Sequence, residues 1–525
     1  MVDLAWAVAH AARTTPEKTA VVEGQRSLTY AELDEAVSGL AHGLRHAGLA
    51  PGDVVALQLG TGIDFVISFY GTLRAGMIAA PLSPQATERE SRHALELSCA
   101  RALITGPGTP PGTPRTDGPG TDDPHPIRVF TVAELLDAGA GTSGDPVVSR
   151  SPAEVAVIIF TSGTTGAPKA AQLSHANLWM SCTALLSRSS PGPDDVVLSC
   201  LPLHHVFGMS GQMNAAMAWG MTLVLLPKFE AATVLDLIAR HRVTRFSGVP
   251  TMFVDMLAQG AGGRDLSSLR YVTSGGSALQ EGFAERFEEM VPSATLLEGY
   301  GSSETTSSVC VNSSRTHRRH GSVGTPSWGT QMRLVSEEGH VLPASTGTAA
   351  KVPVGELPVG ELQVRGPTVF CGYAGDPAAT DKAFDGDWLR TGDVARIDHE
   401  GYVHLVDRTS NMIIRGGLNV YPAEVEQVLT MVPGVREVAV LGHPDERLGE
   451  EVAALVVTAP GQEHDEILHG LEEQIHTELA SYKRPRVIEL VDELPRSAAG
   501  KVLRPAAREL LAARLAHRPR QPTVL

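Results

Sequence analysis

Hydrophobic and polar positions near the start of the chain follow first helical and then strand spacing. Apolar residues from Leu33 to Leu44 recur on one face of a helix, and Thr29 and Glu32 have the spacing of a capping box. A mostly apolar run from Val54 to Leu59 follows a Pro-Gly pair and predicts a buried strand. A helix followed directly by a buried strand favours layered α/β structure.

The same alternation of helical and strand patterns recurs through the first half of the chain, which predicts parallel sheets. It is found at Phe65 to Leu82, Val196 to Leu201, Val224 to Leu226 and Arg270 to Ser274. Beyond Gly360 the sequence becomes strand-like with turns. After Asp407 a shorter segment has strands of its own, at Val438 to Leu441 and Val452 to Val457, which predicts a separate small domain. Polar stretches at Gly106 to Pro126 and near Gly139 to Pro152 are expected to be mobile surface loops.

Composition narrows the function classes. The chain has 525 residues, 42% of them hydrophobic, and its 43 Lys and Arg against 59 Asp and Glu give a net charge of −16. This balance opposes nucleic acid or an anionic membrane surface as a partner. The five cysteines are scattered without C-x-x-C spacing, so neither a disulfide framework nor a zinc site is expected. The scattered cysteines fit a reducing cytosol, so we expect a cytoplasmic location. No apolar run reaches membrane length, so we expect no membrane span.

A loop rich in hydroxyls and glycines points to phosphate chemistry. It reads Thr161-Ser162-Gly163-Thr164-Thr165-Gly166-Ala167-Pro168-Lys169 and leaves the apolar run Val155 to Phe160. Glycines let backbone N–H groups approach an anion closely, and hydroxyls and a lysine add donors and charge. A Walker A motif has Lys directly after its second Gly, whereas Lys169 stands beyond Ala167 and Pro168. A kinase or P-loop GTPase is therefore disfavoured, and a flexible linker is the structural alternative.

Together with this loop, five later segments resemble the acyl-adenylate-forming superfamily of acyl-CoA synthetases, luciferases and nonribosomal adenylation domains. The segments are Leu201 to Gly208, Gly299 to Thr305, Leu389 to Asp393, Asp407 to Glu426 and Pro495 to Lys501. Their order and spacing agree with the family over nearly the whole chain. The resemblance implies an N-terminal adenylation domain (1–407) with a small β-barrel-like part near Gly324 to Asp407. It also implies a mobile α+β lid domain (408–525).

The resemblance implies a nucleotide site built from these motifs. Its residues would be Thr161, Ser162, Gly163, Thr164, Thr165, Gly166, Lys169, Gly276, Tyr300, Gly301, Ser303, Asp393 and Arg408. Tyr300 would cover the adenine face, Ser303 would face the α-phosphate, and Asp393 would accept hydrogen bonds from the ribose hydroxyls. Glu304 would give Mg²⁺ the hard oxygen ligand it prefers. Taken singly, residues of these types are more often structural, for example a core tyrosine or a solvated carboxylate.

The resemblance also divides the chemistry between two conformations. Lys501 would bridge the attacking carboxylate and the phosphates. The lid domain would then rotate about a hinge at Ser410 and present Arg415, Gly416 and Gly417 for the second step. Relatives usually carry Asp or Lys at the hinge position, so Ser410 departs from the pattern.

The acyl pocket is implied by the same family pattern. It would contain His205, Gly275, Gly276 and Ser277, with Lys501, His205 and Glu304 as the catalytic residues. A histidine between apolar Leu203 and Val206 also fits a core position. Amino-acid adenylation domains usually place an Asp in the histidine-bearing segment, and Leu201 to Gly208 has none, which disfavours an amino-acid substrate.

The function expected from these residues is an ATP- and Mg²⁺-dependent carboxylate–CoA ligase. An apolar aliphatic or aryl acid would form an acyl-adenylate and pyrophosphate, and the CoA thiol would then give a thioester and AMP. Arg415, Lys483 and Arg484 are candidates for CoA phosphates. Alternatives are transfer of the adenylate to a carrier-protein thiol or an amine, and adenylation of an oxyanion such as nitrite. A nucleotide-binding regulatory protein and an oxygenase acting on its own adenylate are further rivals.

Overall fold

The computed structural model describes most of the chain. The described residues are 3–106, 127–141, 146–161, 169–186, 189–276, 279, 282–342, 357–408, 411–415, 418–445, 447–479, 481–496 and 502–516. They divide into two compact units. The first comprises the described parts of residues 1–332 and 364–390, and the second those of 333–363 and 391–525.

Helices and strands alternate through the first unit, as the sequence predicts, and the list that follows gives the helices of both units. The helices are α1 Trp6–Thr14, α2 Tyr30–His46, α3 Ile63–Arg74, α4 Glu88–Leu97, α5 Val132–Ala138, α6 His175–Leu186, α7 Val206–Gly208, α8 Ala215–Ala218, α9 Ala231–His241, α10 Pro250–Gln259, α11 Phe283–Met290, α12 Pro377–Ala383, α13 Pro422–Thr430, α14 His464–Glu478 and α15 Arg504–Ala516. A π-helix, Met209–Asn214, joins α7 to α8, and a 3₁₀ turn covers Ser303–Thr305.

The strands are distributed over both units. They are β1 Thr19–Glu23, β2 Arg26–Thr29, β3 Val54–Gln58, β4 Ile78–Pro81, β5 Ala100–Thr105, β6 Arg128–Thr131, β7 Val155–Thr161, β8 Lys169–Ser174, β9 Val196–Ser199, β10 Thr222–Leu225, β11 Arg245–Gly248, β12 Tyr271–Ser274, β13 Thr295–Ser302, β14 Ser307–Val311, β15 Thr325–Pro326, β16 Gln331–Val335, β17 Gly360–Arg365, β18 Gly372–Tyr373, β19 Phe384–Asp385, β20 Trp388–Ile397, β21 Val403–Arg408, β22 Ile413–Arg415, β23 Leu418–Val420, β24 Val435–Asp445, β25 Gly449–Thr458 and β26 Val487–Val491.

Two large sheets form the scaffold of the first unit. Nine strands run in the order β15-β14-β13-β12-β11-β9-β10-β1-β2, and seven in the order β18-β8-β7-β4-β3-β5-β6. The central strands β13, β12, β11, β9, β10 and β1 pair in parallel, so their carboxyl ends lie at one edge. Ligands of open α/β sheets bind outside such carboxyl ends, which makes this edge the place to look for a site.

Buried apolar side chains explain why these layers hold together. One core packs α2 and α3 with strands of both large sheets, and a second packs α9, α10 and α11 against β11, β12 and β13. Helix α2 begins at the predicted capping box: the Thr29 side chain accepts the backbone N–H of Glu32, and the Glu32 carboxylate accepts the N–H of Thr29. The predicted α/β class is confirmed, and no described helix is long and apolar enough to cross a bilayer.

The second unit has a smaller sheet and cores of its own. Strands β23, β22, β25 and β24 form a sheet in that order, with β26 parallel to β25. Helices α13 and α14 cover one face of this sheet and α15 covers the other. A further five-stranded sheet, β16-β17-β20-β19 with β21 beside β20, occupies the region predicted to be barrel-like. The predicted boundary between residues 407 and 408 marks the point about which the lid domain is expected to move. A division into compact units does not test that movement, so the boundary stays a prediction.

Candidate active site

The predicted phosphate loop closes a hairpin. Thr161 ends β7 and Lys169 begins β8, and these two residues are paired in register on antiparallel strands. The loop residues predicted to bind nucleotide, Ser162 to Gly166, lie outside the described residues. The hairpin stem therefore fixes both ends of the loop and places the Lys169 side chain at its exit.

A tyrosine absent from the sequence prediction connects Lys169 to Glu304. The Lys169 ammonium lies 4.9 Å from the centroid of the Tyr373 ring, and the Tyr373 hydroxyl donates to Glu304 Oε1 at 2.9 Å. Burial, followed by the neighbouring Glu304 carboxylate, raises the pKa of Tyr373, so the phenol keeps its proton and remains a donor. We call these three residues the Lys169–Tyr373–Glu304 cluster. It brings a cation and a carboxylate to one place, as a metal-bound triphosphate requires.

Close backbone contacts hold the segment that carries Glu304 in place. Glu304 sits in the 3₁₀ turn that begins after Ser302, and its carbonyl accepts the N–H of Phe370 at 2.9 Å. A Cβ at Gly301 would lie 1.5 Å from the carbonyl oxygen of Ser307, so only glycine fits there. Mg²⁺ in nucleotide sites is typically held by one or two carboxylates with phosphates and water, and the Glu304 carboxylate fits that donor set.

The predicted pocket residues lie at the carboxyl ends of the central parallel strands. Gly275 and Gly276 directly follow β12, Tyr300 lies in β13, and Ser303 opens the 3₁₀ turn that follows β13. Ser274 and Glu298 are register partners, which sets the loop after β12 beside the Gly299-Tyr300 segment. Ser277 lies outside the described residues. The structure thus brings the adenine and pocket motifs to one edge of the nine-stranded sheet, and the Lys169–Tyr373–Glu304 cluster connects that edge to the strand that follows the phosphate loop.

The Phe207 ring packs closely against two glycines near these strand ends. A Cβ added to Gly275 would meet the edge of the Phe207 ring at 3.2 Å, and a Cβ added to Gly211 would meet the same ring at 3.2 Å. The Gly211 position also lies 3.2 Å from Ser307 Oγ. We call Phe207, Gly211, Gly275 and Ser307 the Phe207 cluster. No role is predicted for Phe207, Gly211 or Ser307 from sequence, because their proximity depends on the π-helix and on β14.

The two histidines of the predicted pocket stand at the entrance to the helix that carries Phe207. The rings of His204 and His205 are 4.6 Å apart between centroids, and His205 caps α7. Burial, followed by repulsion from His205, lowers the pKa of His204 to about 3. His204 is therefore a neutral neighbour of His205 at physiological pH.

The second unit holds the predicted ribose and hinge residues. Asp393 in β20 is buried. It pairs in register with Arg408 on the antiparallel strand β21, so the backbones of these two predicted neighbours lie side by side. Asp407 Oδ2 accepts the N–H of Ala423 at 2.8 Å, and Asp407 Oδ1 accepts from the Asn411 side chain at 3.1 Å. Ser410 lies outside the described residues, and Asp407 links the chain before it to α13 after it.

The cations proposed for the second step already have partners within their own unit. Arg415 is bound by the Glu451 carboxylate, with Nη2 to Oε2 at 2.9 Å, and Lys483 Nζ lies 2.5 Å from Glu424 Oε1. Arg484 donates to the carbonyl of Leu479 at 2.8 Å. Any contact with CoA phosphates therefore has to compete with these bonds or add to them.

An isolated β-bridge joins the residues on either side of the segment that contains Lys501. Arg496 and Val502 form an isolated antiparallel pair, and the N–H of Leu503 donates to the carbonyl of Pro495 at 2.8 Å. Lys501, like Gly416 and Gly417, lies outside the described residues, and so its predicted role is not tested by this geometry.

Comparison with known families gives a match over most of the chain. The AMP-binding enzyme family matches residues 8–374, and the AMP-binding enzyme C-terminal domain matches residues 424–501. Feruloyl-CoA synthase from Amycolatopsis sp is 36% identical over 502 residues, which cover 94% of this chain and 96% of that protein.

Solved structures show the same similarity in three dimensions. ATP-bound MatB from Rhodopseudomonas palustris superposes with a TM-score of 0.86 at 30% identity and covers 97% of this chain and 98% of that chain. The o-succinylbenzoate CoA synthetase from Bacillus subtilis, in complex with ATP and magnesium, gives a TM-score of 0.82 at 28% identity. That comparison covers 96% of this chain and 99% of the other.

Proposed function

We propose that this chain, which belongs to the AMP-binding enzyme family and is an AMP-forming acid–thiol ligase, joins an aromatic carboxylic acid to CoA. In the first step a carboxylate oxygen attacks the α-phosphorus of ATP, forming an acyl-adenylate and releasing pyrophosphate. In the second step the CoA thiolate attacks the acyl carbon, and AMP leaves with the electron pair of the broken C–O bond. ATP and CoA are the co-substrates, and Mg²⁺ would neutralise phosphate charge in the first step.

The aromatic ring beside the predicted acyl pocket is the observation that carries the choice of an aromatic acid. The Phe207 ring packs against the backbone of Gly275 and Gly211, which sets an aromatic side chain beside the end of β12, where the acyl pocket is predicted. Aromatic rings pack favourably with one another, so an aryl acid suits a pocket bordered by Phe207. Feruloyl-CoA synthase, one of the relatives, is named for an aromatic acyl group, which agrees with this assignment.

The nucleotide roles are assigned to the predicted residues. Lys169 and the loop that ends at it would hold the phosphates, and Glu304, oriented by Tyr373, would hold Mg²⁺. Tyr300, Gly276, Gly301 and Ser303 would line the adenosine side. His205 would stand beside the acyl group.

The second unit would supply residues for both steps. Asp393 with Arg408 would bind the ribose, and Lys501 would serve adenylation. Rotation about Ser410 would bring Arg415, Gly416 and Gly417 to the site for thioester formation, which makes 407/408 the functional boundary between the domains. Transfer to a carrier-protein thiol is the alternative, which the experiment below tests, and we propose a cytoplasmic location.

A product screen tests the proposal. The protein is incubated with ATP, Mg²⁺ and a panel of benzoates, cinnamates and C2 to C12 aliphatic acids, each with CoA, with pantetheine-loaded carrier protein, or without a thiol. We expect AMP and an aryl-CoA thioester only when an aryl acid and CoA are both present. Thioesters formed only from aliphatic acids, or acyl transfer only to the carrier protein, would contradict the proposal.

A further inference from the structure

One buried amide holds the turn that leads to Tyr373. Asn177, in the first turn of α6, is only 6% exposed. Its side-chain nitrogen donates to the carbonyl of Pro367 at 2.8 Å and to the carbonyl of Val369 at 2.9 Å. Both amide hydrogens are therefore used on a single turn, residues 366–370, which we call the bound turn. These two hydrogen bonds fix the bound turn against α6.

The bound turn also holds the segment that carries Glu304. The N–H of Phe370 donates to the carbonyl of Glu304 at 2.9 Å, and the carbonyl of Thr368 accepts the Thr306 hydroxyl at 2.7 Å. The Phe370 ring meets the Tyr373 ring edge to face, with 4.9 Å between the centroids. The bound turn thus connects α6 to the backbone of Glu304 and to Tyr373, whose hydroxyl binds the Glu304 carboxylate.

The same helix is continuous with the strand that carries Lys169. Strand β8 begins at Lys169 and leads directly into α6. Four residues after Asn177, the Ser181 hydroxyl donates to the carbonyl of Thr306 at 2.9 Å. Residues four apart share a helix face, so one face of α6 holds both the bound turn and the segment after Glu304. The cation and the carboxylate of the Lys169–Tyr373–Glu304 cluster are thereby fixed to one strand–helix pair.

We propose that Asn177 is a positioning residue: its two hydrogen bonds to the bound turn set the Glu304 carboxylate toward the Mg²⁺ that accompanies ATP. This inference rests on the proposed function, in which Glu304 holds the metal. A carboxylate repels a triphosphate when no metal lies between them, and binds the cation when one does. A correctly placed Glu304 therefore makes ATP binding depend on Mg²⁺. Partners that orient a metal ligand typically contribute about 10- to 100-fold to metal affinity or activity.

The test measures ATP binding by isothermal titration calorimetry without acid or CoA, once in Mg²⁺ and once in EDTA. The wild type is expected to bind ATP at least about tenfold more tightly in Mg²⁺. In Asn177→Ala this preference should fall to within about threefold of unity, while the affinity in EDTA changes little. Asn177→Asp has nearly the same shape and keeps the oxygen that accepts the N–H of Ser174 at 2.9 Å. As a carboxylate it lacks the amide donors, so it should lose the preference too.

Ser174→Ala is the matched control for the start of α6. The Ser174 hydroxyl accepts the N–H of Asn177 at 3.1 Å, so this variant weakens the helix start but leaves both amide donors in place. It should melt at a lower temperature than the wild type and retain the Mg²⁺ preference. Equal loss of the preference in Ser174→Ala and Asn177→Ala would show a general effect of α6 and overturn the inference.

A double-mutant cycle shows whether Asn177 acts through Glu304. Glu304→Gln removes the carboxylate that would bind the metal, so adding Asn177→Ala to it should change the Mg²⁺ preference by less than about twofold. The inference is overturned if Asn177→Ala has the same effect in both backgrounds, if the preference survives in Asn177→Ala, or if the wild type has none. The proposed function fails separately: absence of aryl-CoA from the product screen contradicts aryl ligation, whereas these titrations contain no acid and still decide the role of Asn177.

Discussion

At the scale of single residues, Tyr373 makes two different contacts that substitution can separate. Its hydroxyl donates to Glu304, and its ring lies under the Lys169 ammonium. Tyr373→Phe keeps the ring and removes the hydrogen bond to a charged group, which is typically worth about 1.5–3 kcal/mol. We expect kcat/KM for ATP in pyrophosphate exchange to fall roughly tenfold or more.

Tyr373→Leu provides the matched comparison, because it also removes the ring beneath Lys169. It should lower kcat/KM further, by roughly two- to fivefold, as loss of an exposed cation–π contact implies. Equal activity of Tyr373→Phe and the wild type, with Mg²⁺ varied, would show that the hydrogen bond does not orient Glu304.

Gly275 tests whether the acid binds beside Phe207. In Gly275→Ala the new Cβ would lie 3.2 Å from Phe207, and such overpacking typically costs about 1–3 kcal/mol. We expect kcat/KM for an aryl acid to fall by about five- to a hundredfold, and KM for ATP to change little. Gly192→Ala is the control, because a Cβ at Gly192 would meet nothing within 4 Å. A Gly275→Ala enzyme with unchanged kinetics for bulky aryl acids would place the acid elsewhere.

The role of a residue could be predicted from sequence only where the residue stands in a recognisable motif. Lys169 and Glu304 stand in distinctive local sequences, and the structure brings them to the same tyrosine. Tyr373 lies 69 positions from Glu304 in an ordinary Gly-Tyr pair, and its place depends on the pairing of β18 with β8. Likewise, nothing in the sequence indicates that Phe207 packs against Gly211 and Gly275, because the contact with Gly211 depends on the π-helix.

At the scale of elements, Asp407 couples the strand before the proposed hinge to the helix after it. Its carboxylate accepts the N–H of Ala423 in the first turn of α13. If the chain rotates at Ser410, this bond exists in one conformation and not in the other. Asp407→Asn should therefore change the ratio of adenylation to thioester-formation rates, by about tenfold, as loss of one charge-assisted hydrogen bond implies.

The two half-reactions can be followed by single-turnover quench. Asp445→Asn is the control, since Asp445 also accepts backbone N–H groups, from Arg447 and Leu448, in a turn of the same unit. If Asp407→Asn slowed both half-reactions by the same factor, the bond would not be specific to one conformation.

Element prediction succeeded where local signals agree with tertiary packing. The capping box and the early strands lie where the pattern places them, and β24 and β25 extend beyond the predicted cores because their polar ends continue to pair as a hairpin. The π-helix had no sequence signal. Part of the polar stretch predicted to be mobile is anchored, since the N–H of Val148 donates to the carbonyl of Arg74 at 2.9 Å. Residues 107–126 of the other stretch lie outside the described residues.

At the scale of the whole molecule, the two proposed conformations predict a division of labour between Lys501 and Gly417. Lys501→Ala should depress adenylation by about a hundredfold or more, as loss of a charge that stabilises the transition state implies. Transfer from a preformed adenylate should be nearly unaffected. Gly417→Leu should obstruct the thiol and slow transfer, with adenylation largely retained. Stopped-flow pyrophosphate release and thioester formation measure the two steps, and equal losses in both steps for either variant would refute the division.

Family and architecture were predictable because six motifs occur in a fixed order over the chain, and the comparisons agree with that reading. The bounds of the compact units could not be predicted from these motifs. Residues 333–363 join the second unit with 391–525, because packing between distant strands, rather than sequence proximity, defines a unit. The acid was not fixed by the motifs, since these bind the nucleotide, which all relatives share.

The central claim, ligation through an acyl-adenylate, is tested most directly by isotope transfer. An aryl acid with both carboxylate oxygens replaced by ¹⁸O is converted to its CoA thioester, and the masses of AMP and of the thioester are measured by mass spectrometry. Attack of the carboxylate on the α-phosphorus predicts one ¹⁸O in AMP and one retained in the thioester. Unlabelled AMP, or label in phosphate with formation of ADP, would contradict the account.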